Sequence, residues 1–371
     1  MYSFDPTEEQ QMLIDAIQRY ATNDLRPKMR DAEEENQLPP KLIEKGWELG
    51  FLQASIPEDY GGFGERSAVT GVLAAEELAY GDLTGAMAVM NPGLFAVPLA
   101  LGGSEAQKNK YLPPIVAGSW PKYTAALIEP RFDFDANDLR TLAIEDGKGY
   151  LLTGEKTFVP YAADADAILV YARKTGQTAH LDGITQGFII PKGTPGLEIG
   201  ERQKVLGVHA LPLYSVRLNE VHLKREDRLG GANGHEFAPL LASMRLALAA
   251  LAVGMSRAAL DFAIDYAKDR EVFGVKVAQK QAIAFFLAEM ATEIESIRLL
   301  TWEAAWMLDN HHVEAEKQAY LALTGAMDMA MMVTDRAVQV LGGHGYIREY
   351  PVELWMRNGR GIATLNGLAI I

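Results

Sequence analysis

The chain contains no cysteine, which excludes disulfide bridges, thiolate nucleophiles and cysteine-ligated metals. It also lacks any excess of positive charge. Its 35 basic residues against 49 acidic ones leave a net charge of −14, which argues against nucleic acid as a principal partner. A few local arginines can still outweigh that diffuse field for a small anionic ligand. No basic, apolar-cored leader opens MYSFDPTEEQQ, and the longest strongly apolar run, Leu246 to Met255, is shorter than a bilayer requires. The expectation is a cytoplasmic protein without a membrane span. No G-x-G-x-x-G run follows a strand pattern and opens a helix, which argues against a Rossmann site. His209, His222, His235 and His344 show no metal-ligand spacing, so no metal is expected.

What remains is an ordinary folding composition, 49% hydrophobic and 23% charged over 371 residues, long enough for two or three domains. The hydrophobic period changes twice. Residues 1–120 read as helical. Thr7-Glu-Glu-Gln10 forms a capping box ahead of Leu13, Ile17 and Tyr20, and Pro39-Pro40 opens a helix expected to run through Leu49. A turn-rich break, PEDYGGFG, follows at 57–64. A Met- and Ala-rich helical segment is expected to end near Pro98, and Ser104 caps a polar helix. Residues 121–232 carry short runs such as YLLTGEKTFVP, AILVYAR and GFIIPK, separated by Gly, Asp and Pro, which is the pattern of a compact β domain. Residues 233–371 return to long helices. Ile283, Leu287, Met290, Ile294 and Ile297 form one apolar seam, and Leu323, Met327, Ala330, Thr334 and Ala337 form another.

The helical–β–helical order, together with PEDYGGFG, EELAYGD, Ile128-Glu-Pro, GEKTF, DREVFG, QKQAIAFFLAEMA and QVLGGHGYIREYPVE, resembles the acyl-CoA dehydrogenase family over essentially the whole chain. The resemblance implies an α+β fold with an N-terminal helical domain, a β-barrel-like middle domain and a C-terminal four-helix bundle. It further implies FAD as cofactor and an acyl-CoA substrate oxidised at its α,β carbons. The expected assembly is a homodimer or homotetramer, with an electron-transfer acceptor protein and a heteromeric pairing also open.

Site residues follow from the same resemblance. Arg270, Phe273 and Gln281 match positions that reach the FAD of a neighbouring subunit, and a guanidinium is a permanent forked donor suited to a pyrophosphate. Gln339, Gly342 and Gly343, where a helix is expected to end, match a second contact to the adenosine part; for Arg270 the ordinary alternative is a helix C-terminus carrying a basic residue. Around the flavin ring, Ile128 stands where relatives have a threonine, and Phe158 retains an aromatic face for stacking. Pro160 stands where a hydroxyl residue is usual and offers no N–H. Met87, Met90, Leu94 and Phe95 fall in the segment that lines the acyl pocket, unless they are plain core. Arg245 matches an arginine near the CoA moiety, unless it serves an inter-helix ion pair.

The family glutamate that takes the α-proton falls at Asn366, and its alternative location, on a buried helix, falls at Met244. An amide cannot accept that proton at neutral pH. Asp133 is the substitute base to test, against the ordinary reading of a turn aspartate. Alternatively the protein is a non-dehydrogenating member: a desulfinase-like enzyme in which Arg131 holds the leaving group, one subunit of a heteromeric dehydrogenase, or a flavin-binding protein without turnover. A pocket closed by Phe132, Phe134 and Pro160 would favour a non-enzymatic or non-dehydrogenating role.

Overall fold

The computed structural model describes residues 6–64, 66–175 and 184–371. Its first part is helical: α1 (Glu8–Tyr20), α2 (Met29–Glu35), α3 (Pro40–Trp47), α4 (Ala68–Gly81), α5 (Leu83–Met90), α6 (Gly93–Gly102) and α7 (Glu105–Ala117). The capping boxes at Thr7 and Ser104 are both formed, each hydroxyl accepting from the amide three residues on. α2 was not legible: its buried Met29, Ala32 and Glu33 give no clear apolar stripe. α3 stops at Trp47, short of the expected Leu49. α6 runs through Pro98 instead of ending there, because a proline inside a helix forfeits one backbone hydrogen bond without always ending it.

The middle part is a seven-stranded sheet of β1 (Tyr123–Ala126), β2 (Leu142–Glu145), β3 (Gly149–Pro160), β4 (Ala167–Thr175), β5 (Ile184–Pro191), β6 (Leu197–Arg202) and β7 (Leu213–Lys224). The order is β1-β4-β2-β3-β7-β6, with β5 paired to β4. β1 and β2 run parallel to β4, and the β2–β3, β3–β7, β4–β5 and β6–β7 pairs are antiparallel. A register shift between Lys156 and Val159 in the β3–β7 pair marks the bend that carries Phe158.

The last part packs α8 (Ala238–Asp269), α9 (Gln281–Asp309), α10 (Ala315–Leu341) and α11 (Val352–Gly361). α8 lies at the centre and contacts α4, α9, α10 and α11. It is long and apolar enough to cross a membrane, but 83% of its most apolar window is buried inside the protein. That burial explains why it has apolar residues on every side. The short hairpin of β8 (Glu271–Val272) and β9 (Val275–Lys276) joins α8 to α9. Asp309, at the end of α9, accepts from the amides of Ala68 and Val69 and from the Ser67 hydroxyl, which closes the α4 N-terminus against the bundle.

Candidate active site

Two loops of the sheet meet the end of the chain at one buried junction. The Ile128 carbonyl accepts from the Thr157 amide at 2.9 Å, tying the segment after β1 to β3. Beside it Phe158 has φ +53, a conformation that non-glycine residues seldom adopt and that the surrounding structure must enforce. The enforcing contact is Gln203, whose side-chain oxygen accepts from the Phe158 amide at 2.8 Å while its NH2 donates to the Thr157 hydroxyl at 2.7 Å. Nothing in the sequence signalled Gln203. Ile128 is buried, and Pro160 is buried within β3 against Leu213.

The chain end reaches this junction through Gly367, whose φ is +89. A Cβ there would meet Leu127 Cδ2 at 2.5 Å, so only glycine lets the backbone lie flush on the segment leading to Ile128. Asn366 is therefore carried next to the loop that holds Ile128. Its Oδ1 is buried and has no hydrogen-bond partner among the described residues.

Under the same loop lies a fully buried ion pair. Lys156 Nζ donates to Glu129 Oε1 and to the Leu127 carbonyl, each at 3.0 Å. Glu129 also accepts from the amides of Arg140 and Thr141 at 2.8 Å. Burial alone would raise the Glu129 carboxyl, but the Lys156 ammonium and those amides outweigh it and hold it below its usual range. Burial, partly offset by Glu129, pushes Lys156 down to about 8.

Asp133 lies away from this junction. It is exposed and paired with Arg140 at 3.0 Å and Arg131 at 3.5 Å, so its place is an ion-pair cluster on the outer loop. Arg131 is neither a solvated surface residue nor a free anion holder. Its side chain is nearly buried, facing Glu129 at 3.6 Å, Asp138 at 3.7 Å and the Asp138 carbonyl. Phe132 is fully exposed and cannot close a pocket. Met244 is fully buried, as are Met87, Met90, Leu94 and Phe95. Each buried carboxylate among the described residues is engaged: Glu33 by Arg357, Glu76 and Glu77 by Arg257, Asp82 by the Gly85 amide, Glu129 by Lys156 and Glu353 by Arg30.

The second group of predicted residues is gathered at one end of the bundle. Arg270 caps α8, its amide donating to the Tyr266 carbonyl, and its exposed guanidinium has no hydrogen bond or ion pair among the described residues. Phe273 projects almost wholly into solvent from the β8–β9 turn, with φ +56, and Gln281 opens α9. Gln339 is exposed on the last turn of α10, which ends at Gly342 with φ +59. A Cβ on Gly342 or Gly343 would meet nothing within 4 Å, which leaves their backbone open to a ligand. The two segments are joined by Tyr266 of α8, whose hydroxyl lies 2.9 Å from His344 Nδ1 in the glycine turn.

Arg245 stands half-buried with its guanidinium 5.0 Å from the Tyr320 ring, and burial lowers its pKa while Asp135 acts in the other direction. Nearby, a groove of about 610 Å³ is lined by residues including Asn137, Gln186, His235, Phe237 and Glu316. Burial and the Arg228 charge push His235 down to about 4. It is neutral in the folded protein, whereas the unfolded chain binds its proton below the ordinary value of 6.5. Acidification through that window therefore favours unfolding, by up to about tenfold per pH unit for one proton. His235→Phe is expected to lose stability less steeply than the parent between these pH values in denaturant titrations. Equal slopes would contradict this.

Profiles for the acyl-CoA dehydrogenase N-terminal, middle and C-terminal domains match residues 7–119, 124–221 and 238–369. The chain is 34% identical to the CarC subunit of the caffeyl-CoA reductase–Etf complex of Acetobacterium woodii, over 97% of this chain and 95% of that one. It is 33% identical to the mitochondrial short-chain specific acyl-CoA dehydrogenase of Bos taurus, over 96% of this chain and 86% of that one. The structure of butyryl-CoA dehydrogenase from Megasphaera elsdenii superposes with a TM-score of 0.86 at 31% identity, covering 100% of this chain and 96% of that one. The chain belongs to the acyl-CoA dehydrogenase family of FAD-carrying oxidoreductases that act on CH–CH groups.

Proposed function

We propose that this protein oxidises a short acyl-CoA at its α,β carbons with FAD held at a contact between two copies of the chain, and that Asn366 occupies the position of the proton-accepting residue. The observation that carries the reading is the buried, unpartnered Oδ1 of Asn366, set by Gly367 against the loop of Ile128.

FAD, when bound, supplies the hydride acceptor. Arg270 offers its pyrophosphate a forked cationic donor, Phe273 an exposed ring, and Gly342 and Gly343 an open backbone. Phe158 provides an aromatic face for its ring, and Ile128 and Pro160 an apolar wall without hydroxyls. The exposed apolar residues Phe285 and Leu299 on α9 and Leu321 on α10 suit burial against another copy. Arg245 is the cation available for the phosphates of the CoA moiety. Because a relative belongs to an Etf complex, an electron-transferring flavoprotein is the natural acceptor class.

The Asn366 amide cannot hold the substrate's α-proton at neutral pH, so that proton passes to water or a buffer base while the hydride goes to the flavin, and turnover is slow. A second reading draws on the engagement of every buried carboxylate among the described residues: the subunit serves the FAD of a different, base-bearing partner. Incubation of the flavin-loaded protein with butyryl-CoA and an artificial electron acceptor tests the choice. Slow accumulation of the enoyl-CoA supports the proposal. Flavin binding with no product over hours favours the second reading.

A further inference from the structure

The four residues after Gly367 turn inward. Leu368, Ala369, Ile370 and Ile371 are all buried, and Ile370 packs in one apolar cluster with Leu94, Phe95, Leu127 and Met244. Ile371 lies against α4 at Gly71, where a Cβ would come within 2.6 Å of Ile371 Cβ, so the glycine leaves the slot that this side chain fills. Ile370 lies against α6 at Gly93, its Cγ2 at ordinary contact distance from where a Cβ would stand.

A polar clasp fixes the segment. The Ile371 carbonyl accepts from the Ser243 hydroxyl and from Arg66 Nε at 2.9 Å, and Arg66 Nη2 donates to Ser243 Oγ at 2.8 Å. Among the described residues, the amides of Ala369, Ile370 and Ile371 make no hydrogen bond, so burial and this clasp are what hold them.

We infer that Ile370 and Ile371 form the floor of the acyl site and restrict the substrate to short acyl groups. The inference rests on the reading of Asn366 as the residue beside the reacting carbons. From that point the segment runs into the interior, where Ile371 joins the apolar cluster of Met87 and Met90, and Ile370 that of Leu94, Phe95 and Met244. A long acyl tail entering past Asn366 would need the same volume, and all five of those side chains are already covered. The clasp through Ser243 and Arg66 keeps the floor in place.

The experiment is calorimetric titration of the flavin-loaded protein with butyryl-, hexanoyl- and octanoyl-CoA, for the parent and for Ile370→Ala/Ile371→Ala. The parent is expected to bind butyryl-CoA with no gain for longer chains. In the variant each added methylene is expected to raise affinity by up to about fourfold, the transfer value for one buried CH2. A parent that itself gains about fourfold per methylene up to octanoyl-CoA overturns the inference while leaving the proposed function intact, and this result needs no variant to fold. Unchanged chain-length preference in a folded variant also overturns it. If no acyl-CoA binds the parent, the proposed function fails and takes the floor with it.

Discussion

Replacing Asn366 with glutamate is expected to raise the rate of flavin reduction by butyryl-CoA by about two to four orders of magnitude, the usual range for general-base help. The side chain at this position is already partly buried, and its terminal oxygen has no partner to give up. A carboxylate placed there is partly desolvated, which raises its pKa toward neutrality and suits it to accept a proton. Stopped-flow measurement of flavin bleaching separates this step from reoxidation. Asn366→Gln adds the same length without a base and is expected to leave the rate near that of the parent. If Asn366→Glu loads with flavin, binds butyryl-CoA and gains nothing, residue 366 does not face the α-carbon.

Glu129→Ala is expected to destabilise the protein by about 3–5 kcal/mol, the cost of leaving one member of a buried ion pair uncompensated. Lys156 is 0% exposed and Glu129 only 4%, so water cannot take over the role of the lost carboxylate. The amides of Arg140 and Thr141 lose their acceptor at the same time. The double variant Glu129→Leu/Lys156→Met removes both charges and is expected to recover much of the loss. Denaturant midpoints at constant m-value give the comparison. A loss below about 1 kcal/mol for the single variant would show that the pair is not the strut beneath the Ile128 loop. Because Lys156 also donates to the Leu127 carbonyl, the single variant is further expected to bind FAD more weakly.

How much of this was legible in the sequence depends on how local each determinant is. The capping box at Thr7, the seams of α9 and α10 and the glycine end of α10 are set by neighbouring residues and were read correctly. α8 shows no single apolar seam in the sequence, because a helix covered on all sides shows no amphipathic period. Arg131 looked available to hold an anion because the carboxylates that face it, Glu129 and Asp138, converge only when the loop folds. Asp133 looked free for the same reason. The residues of the bundle end were identified from motifs, and the structure brings Arg270 and Gly342 together through Tyr266 and His344. The Gln203 brace on Phe158 and the inward course of Leu368–Ile371 left no trace in the sequence. Each depends on contacts between segments far apart along the chain, and four apolar residues are too few to show a period.

In the proposed function Asn366 stands where a flavin-linked oxidation of an acyl thioester takes place. The most direct test is the visible spectrum of the flavin-loaded parent protein, recorded anaerobically before and after addition of butyryl-CoA. Slow bleaching of the flavin band over minutes to hours is expected, with enoyl-CoA formed in equal amount. A flavin band that neither bleaches nor shifts with any acyl-CoA would contradict it.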